Sequence, residues 1–161
     1  MTLPSTRRFG ALLGRTPERQ DTAFLAGLYL ACRPDLSALP VPRSVITAIA
    51  QHQQGQRDAD YALRYPQAQS WLVEDEQSPL GWVLLARVGH GLRVVDLAVD
   101  ARQRRKGVAQ AILRTLQREE EAIALRVRAD NEPARTLYSR LGFTRLEDQG
   151  GVLELAWSRA M

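Results

Sequence analysis

The sequence LRVVDLAVDARQRRKGVAQA, which runs from Leu92 to Ala111, predicts a buried strand, a basic turn and a helix in succession. Apolar side chains at Val94, Leu97 and Val99 favour a strand from Leu92 to Val99. A helix begins near Gly107, and its apolar stripe has helical spacing: Val108, Ala109, Ile112, Leu113 and Leu116. The start of this helix is therefore expected at the end of a buried strand.

The turn from Asp100 to Lys106 has the properties of an anion site. The first N–H groups of a helix have no partner inside the helix, and they lie at the positive end of its dipole. Gly107 has no Cβ, so a ligand can approach the backbone closely, and Ala109 keeps the next inward position small. Four side chains add positive charge: Arg102, Arg104, Arg105 and Lys106. The turn predicts a phosphate-bearing ligand, and a basic turn that binds nothing is the alternative.

Length and composition indicate one globular domain over residues 1–161, in which residues 1–7 form a loose end. No apolar run reaches the roughly 20 residues that span a membrane. Cys32 is the only cysteine, and His52 and His90 are the only histidines, so we expect no disulfide and no metal site. No signal peptide is recognisable, and we expect a cytoplasmic protein.

The remaining patterns predict an α+β fold with a mixed, mostly antiparallel sheet of about six or seven strands and about four helices. The expected strands, in chain order, are 8–15, 69–75, 80–88, 92–99, 123–129, 143–146 and 152–157. The strand at 123–129 is expected to run parallel to the central strand, because a helix joins them. The expected helices begin at Thr16, at Pro42 or Ser44, near Gly107 and at Asn131. Residues 35–42 are expected to form a loop, and the polar run 51–60 fits either a helix or a loop.

Two segments resemble motifs of the GNAT superfamily of N-acetyltransferases. The first, Arg104 to Ala109, reads RRKGVA and fits the acetyl-CoA motif Q/R-x-x-G-x-G/A. The second, Asn131 to Phe143, is similar to the family's N-x-x-A-x-x-L-Y-x-x-x-G-F segment. The resemblance extends over about residues 8–157, although the first half matches only in the order of its elements. Two departures are mild: Ala101 stands where relatives often have proline, and Ala109 replaces the commoner glycine.

The resemblance implies a GNAT-like fold and acetyl-CoA as the acyl donor. It further implies that the central strand separates from its neighbour near Leu97, which leaves backbone groups for the cofactor and an N–H group that stabilises an oxyanion. For Asn131, capping of its own helix is an equal alternative to a place near the cofactor. The implied cofactor-binding residues are Leu97, Ala98, Val99, Arg104, Arg105, Lys106, Gly107, Val108, Ala109, Asn131 and Ala134.

The candidate catalytic residues are Tyr138, which the resemblance implies, and Asp96, which stands as a charged residue inside an apolar strand. Tyr138 would protonate the leaving thiolate, and a packed core aromatic is the alternative. Many relatives carry a glutamate as base, but arginines stand at those positions here, Arg93 and Arg126. Asp96 is the carboxylate inside the central strand, where it would bind or deprotonate the amine, and an ion pair with an arginine is the alternative. Glu74 is a weaker candidate.

The acceptor pocket is expected between the first two helices and the strand hairpins. Its candidate lining residues, for each of which simple packing is the alternative, are Tyr29, Gln51, His52, Tyr61 and Tyr65.

Three functions fit the sequence. The favoured one is an acetyl-CoA-dependent N-acetyltransferase that acts on a small-molecule or protein amine. The others are an acyl-CoA-binding module without turnover and an acetyltransferase acting on aminoacyl-RNA. The formal charge of +4 is compatible with nucleic acid, but its concentration at Arg102 to Lys106 favours an anionic cofactor. We expect no membrane and no nucleic-acid partner, and a homodimer is left open.

Overall fold

A computed structural model describes residues 5–160, which form one eight-stranded sheet with five helices. The strands are β1 Thr6–Phe9, β2 Leu12–Arg15, β3 Gln69–Glu74, β4 Pro79–Val88, β5 Gly91–Val99, β6 Ala122–Arg128, β7 Thr144–Gln149 and β8 Val152–Ser158. The helices are α1 Thr22–Ala31, α2 Pro34–Ser37, α3 Arg43–Arg64, α4 Val108–Glu119 and α5 Glu132–Arg140. The strand order is β1-β2-β3-β4-β5-β6-β8-β7, and β5 pairs with β6 in parallel whereas the other pairs are antiparallel.

The predicted fold class is confirmed, with one strand and one helix more than expected. The single strand predicted at 8–15 is a hairpin, because Gly10 takes a left-handed φ of 64° between β1 and β2. Thr6 and Arg7 belong to β1, so the loose end expected there was wrong, while residues 1–4 lie outside the described residues. The polar run 51–60 is helical, and the loop expected at 35–42 begins with α2, where Leu36 is buried.

The sheet packs against helices on both faces. On one face, α4 contributes the fully buried Ile112, Leu113 and Leu116 to the main core, which also contains Tyr138 of α5. On the other face, Leu28 of α1 packs against Trp82 and Leu84 of β4. No helix within residues 5–160 is long and apolar enough to cross a bilayer.

The parallel pairing between β5 and β6 is short and leaves a gap in the sheet. Only Leu92 to Val94 pair with β6, whereas β6 continues to Arg128 and pairs with β8 along its length. A β-bulge between β4 and β5 leaves Val95 without an opposite residue, and a bulge bends the strand that carries it. We call the open part of this strand pair, from Val95 to Val99 on β5, the seam.

The peptide groups of Leu97 and Val99 face the seam. The Asp100 N–H donates to the Leu80 carbonyl of β4 at 2.8 Å, so this residue is turned toward β4. Because the peptide groups of successive strand residues point to opposite edges, those of Leu97 and Val99 are turned toward β6. The separation of strands that the resemblance implied near Leu97 is therefore present.

Candidate functional site

The turn between β5 and α4 presents unpaired positive charge at one end of the seam. Arg102 is paired with Asp100, whose side chain also caps the turn by accepting the Arg102 N–H at 3.1 Å. Arg104, Arg105 and Lys106 are exposed, and no carboxylate within residues 5–160 forms an ion pair with them. The N-terminus of the twelve-residue α4 adds its free N–H groups to the same place. The turn thus combines exposed positive charge with the free N–H groups of a helix N-terminus.

The backbone at the start of α4 requires a glycine at position 107. It caps α4 with a φ of +82°, in the left-handed region that favours glycine, and a Cβ built on it would meet nothing within 4 Å. Arg105 is also left-handed, with a φ of 64°. The sequence indicates close approach of a ligand as one reason for a glycine here. The structure adds a second reason, which is the sharp turn into the helix.

Tyr138 lies on α5 with its phenol in the main core. Asn131 positions the start of that helix, since its Oδ1 accepts the Ala134 N–H at 3.3 Å. The Tyr138 ring packs on Phe143 with centroids 5.8 Å apart, and the residue is only 8% exposed. Its hydroxyl makes no hydrogen bond within residues 5–160. Trp71 Nε1 also has no partner but is fully buried, whereas the Tyr138 hydroxyl keeps some solvent-accessible surface. A free phenol therefore reaches an accessible space.

The electrostatics of Tyr138 keep its phenol protonated. Burial, followed by the negative charge of Asp96, raises the pKa of Tyr138 to about 12. Tyr138 of α5 packs on one face of the sheet, whereas Asp96 lines the cavity on the other face. At neutral pH the phenol keeps its proton.

Asp96 lies in β5 at the floor of a cavity and has two partners. Its Oδ2 accepts the Tyr61 hydroxyl at 2.8 Å and lies 3.5 Å from Arg57 Nη1. Burial, and then the charge of Asp96, raise the pKa of Tyr61, so this phenol also stays protonated. The arginine ion pair considered as an alternative is present, and so is the opening toward the cavity.

The cavity has a volume of about 390 Å³ and lies between α1, α3 and the strands β4 and β5. Of the five expected lining residues, Tyr29, Tyr61 and Tyr65 line it, whereas Gln51 and His52 do not. Ala98 contributes to the wall beside Asp96.

The lining residues that the sequence reasoning missed include Arg57, Cys32, Arg33 and Asp58. Arg57 is four residues before Tyr61 on α3, and this helical spacing was the available signal.

The other carboxylate and arginines considered from sequence form ion pairs that link neighbouring strands. Glu74 bonds Arg15 at 3.2 Å and does not line the cavity. Arg93 and Arg126 both bond Glu154 of β8, at 2.6 Å and 2.9 Å. The Arg93 hydrogen bond is the main reason that the pKa of Glu154 is lowered, against the opposing effect of burial. These arginines join β5, β6 and β8 below the seam.

A second, more open groove of about 610 Å³ lies between α5 and the β7–β8 hairpin. None of the site residues expected from sequence lines it, so the site is assigned to the seam and the smaller cavity.

Comparisons with known proteins agree with this geometry. The model of the acetyltransferase (GNAT) family matches residues 35–143, more than half of the chain. A search of curated protein sequences found no significant match.

Several solved structures share the fold. The PaiA N-acetyltransferase of Thermoplasma acidophilum, solved in complex with coenzyme A, is 11% identical with a TM-score of 0.66 over 93% of this chain and 100% of that one. An acetyltransferase of Thermus thermophilus is 13% identical with a TM-score of 0.65, over 95% and 100% of the two chains. The spermidine N-acetyltransferase of Vibrio cholerae, solved with CoA and spermine, is 20% identical with a TM-score of 0.60, over 92% and 95%. The family match and the shared fold lead to one conclusion: the chain belongs to the GNAT family of acetyltransferases, which use acetyl-CoA as acyl donor.

Proposed function

We propose that this protein is an N-acetyltransferase that transfers the acetyl group of acetyl-CoA to a primary amine. The observation that carries the proposal is the seam, which ends at the basic turn. Tyr138 belongs to the core on which Leu97 and Val99 of the seam pack, and Asp96 lines the cavity on the other face of β5. A binding module without turnover would not need a free, protonated phenol near a carboxylate that lines a cavity.

The donor fits the groups present along the seam. The basic side chains of Arg104, Arg105 and Lys106 and the N–H groups through Ala109 suit a pyrophosphate. Val108 is buried and would contribute its backbone alone. The free peptide groups of Leu97 and Val99 suit the amide-containing arm of coenzyme A.

Three further residues complete the proposed donor site. Ala98, between these two peptide groups, separates the arm from the acceptor cavity. Asn131 and Ala134 shape the opposite wall, at the turn that leads from β6 into α5.

Each catalytic group has a defined task in this proposal. When bound, acetyl-CoA supplies an activated acetyl group and, after transfer, a thiolate that requires a proton. Tyr138 holds a proton that it can donate, and the Leu97 N–H offers a hydrogen bond to a developing oxyanion. Asp96 attracts the substrate ammonium group and accepts its proton, directly or through water.

A calorimetric titration with acetyl-CoA, followed by an amine panel scored by thiol release, tests the proposal. We expect a micromolar dissociation constant, and its loss in Gly107→Glu, which places a carboxylate in the anion site and strains the left-handed turn. Binding without thiol release for any amine would replace the proposal by the non-catalytic module. If millimolar acetyl-CoA did not bind, the basic turn would need another anion, and a salt-dependent shift with tRNA would then favour RNA.

A further inference from the structure

We propose that the acceptor is a free α-amino acid with an apolar side chain, whose ammonium group is held by Asp96 and whose carboxylate is held by Arg57. This inference rests on the proposed function, because it places the acceptor in the cavity beside the seam. It narrows the acceptor from any primary amine to a zwitterion of defined charge spacing.

The size and walls of the cavity suit a compact, apolar body. A volume of about 390 Å³ corresponds to about a dozen water molecules, and thus to a ligand of roughly a dozen heavy atoms. Apart from its charged groups, Gln54 and Ser70, the wall is made mostly of apolar and aromatic side chains, of which Leu25, Leu28, Ala62, Pro66, Ala68 and Trp82 are examples. Such a wall would hold an aliphatic or aromatic side chain of amino-acid size.

The charges on the wall are balanced, which disfavours a polycation. Two arginines, Arg33 and Arg57, face two aspartates, Asp58 and Asp96. An acceptor with several ammonium groups would find no surplus of carboxylates, and each arginine would repel it. A ligand that carries one positive and one negative charge matches the balance.

Arg57 is the arginine with more unused donors. Four of the five N–H donors of Arg33 are occupied, since it donates to both oxygens of Asp35 and to the side chains of Tyr29 and Gln53. Arg57 donates Nε and Nη2 to Asp58 Oδ1, at 3.1 Å and 2.9 Å. Its Nη1 lies 3.5 Å from Asp96 Oδ2 and makes no hydrogen bond within residues 5–160. Because Nη1 carries two of the five N–H donors of a guanidinium, at least one of them remains for a substrate carboxylate.

Three aromatic rings hold Arg57 in place within the cavity. Its guanidinium carbon lies 5.0 Å from the ring centroid of Tyr29, 5.6 Å from that of Tyr61 and 5.1 Å from that of Trp82. These rings shield the charge from water while they leave it facing the cavity. A fixed, partly desolvated guanidinium is suited to anion recognition.

The spacing of the two anchors selects an α-amino acid. Asp96 Oδ1 makes no hydrogen bond within residues 5–160, so it is open to an ammonium group. The nearest atoms of Asp96 and Arg57 are only 3.5 Å apart, so the charges that they bind must also be close together. The ammonium and carboxylate groups of an α-amino acid are attached to one carbon, whereas those of an ω-amino acid are far apart.

Steady-state thiol release with matched acceptor pairs tests the inference. L-Phenylalanine, L-leucine and L-methionine are each compared with the amine that lacks the carboxyl group and with the carboxamide, and spermidine is the polycation. We expect kcat/KM to be about 10- to 100-fold higher for the amino acids than for their amines and amides, the range for a lost charge-assisted hydrogen bond.

Variants assign the preference to Arg57. In Arg57→Gln the ratio of kcat/KM between amino acid and amine falls toward one. In Arg57→Lys part of the ratio is kept, because lysine retains the positive charge but lacks the planar pair of N–H donors. Asp96→Asn lowers kcat/KM for both members of a pair and leaves their ratio unchanged. The matched control is Arg64→Gln on the same helix, since Arg64 is exposed and its one ion pair within residues 5–160 is with Asp60. It should keep the wild-type ratio.

The outcomes separate this inference from the proposed function. If spermidine, the decarboxylated amines or the amides react as well as the amino acids, the N-acetyltransferase stands and the α-amino acid does not. If Arg57→Gln folds, binds acetyl-CoA and keeps the wild-type ratio, the carboxylate anchor is wrong. If no amine releases thiol although acetyl-CoA binds, both proposals fall.

Discussion

At the scale of single residues, the hydroxyl of Tyr138 is the group whose removal is most informative. We expect Tyr138→Phe to lower kcat by about 100-fold, because the leaving thiolate loses its proton donor while the ring keeps its packing on Phe143. Since burial raises the pKa of Tyr138 to about 12, the phenol remains protonated across the neutral and mildly alkaline range. The rate should therefore show no alkaline decline due to Tyr138 below about pH 11.

Thiol-release kinetics over that pH range, with acetyl-CoA titration as the control, checks this prediction. The variant should bind acetyl-CoA like the wild type, because the lost hydroxyl makes no hydrogen bond within residues 5–160. Unchanged turnover in Tyr138→Phe would leave Tyr138 as a packed core aromatic.

At the scale of elements, two glycines should respond to the same substitution with opposite signs. Gly107→Ala forces a Cβ into a left-handed N-cap and should lower the free energy of unfolding by about 1 kcal/mol. Gly55→Ala, in the interior of α3 where a Cβ meets nothing within 4 Å, should raise it by about 0.5 to 1 kcal/mol. Urea unfolding of both variants measures the pair. Equal effects at the two positions would contradict the backbone explanation.

The elements that the sequence predicted correctly are those with a local signal. Helix α4 follows from an apolar stripe after a glycine, and α5 from Asn131 at its start and Gly142, with φ of 87°, after its end. The β1–β2 hairpin was missed because each strand has only four residues. For the polar part of α3 the sequence fits either a helix or a loop, because most of this surface is exposed and its residues show no apolar period.

At the scale of the whole molecule, the site depends on contacts that no local pattern encodes. Tyr61 and Asp96 are 35 positions apart, and their hydrogen bond forms only because α3 packs on β5. The motifs of the basic turn and α5 were found because their spacing is short. The cavity proposed for the acceptor, with Arg57 among three aromatic rings, is built from residues of α1, α3 and β4 that share no motif.

Ion pairs to a third strand hold the sheet together beside the open seam. Only three residue pairs join β5 to β6, and Glu154 reinforces them by bonding Arg93 and Arg126. We expect Glu154→Gln to lower the free energy of unfolding by about 2 kcal/mol at pH 7, because it leaves the poorly exposed Arg93 without its charged partner.

The pH dependence of that loss identifies the carboxylate as its cause. The pKa of Glu154 lies below its ordinary value of 4.5, mainly because of the Arg93 hydrogen bond, so its stabilisation is present above 4.5 and is lost as pH falls through the folded-state pKa. Denaturant unfolding from pH 7 downward should show wild type and variant converging in acid. The control is Glu121→Gln, whose 3.5 Å pair with Arg159 is exposed and should change stability by less than about 0.5 kcal/mol. A difference between wild type and Glu154→Gln that persists in acid would assign the loss to packing instead of charge.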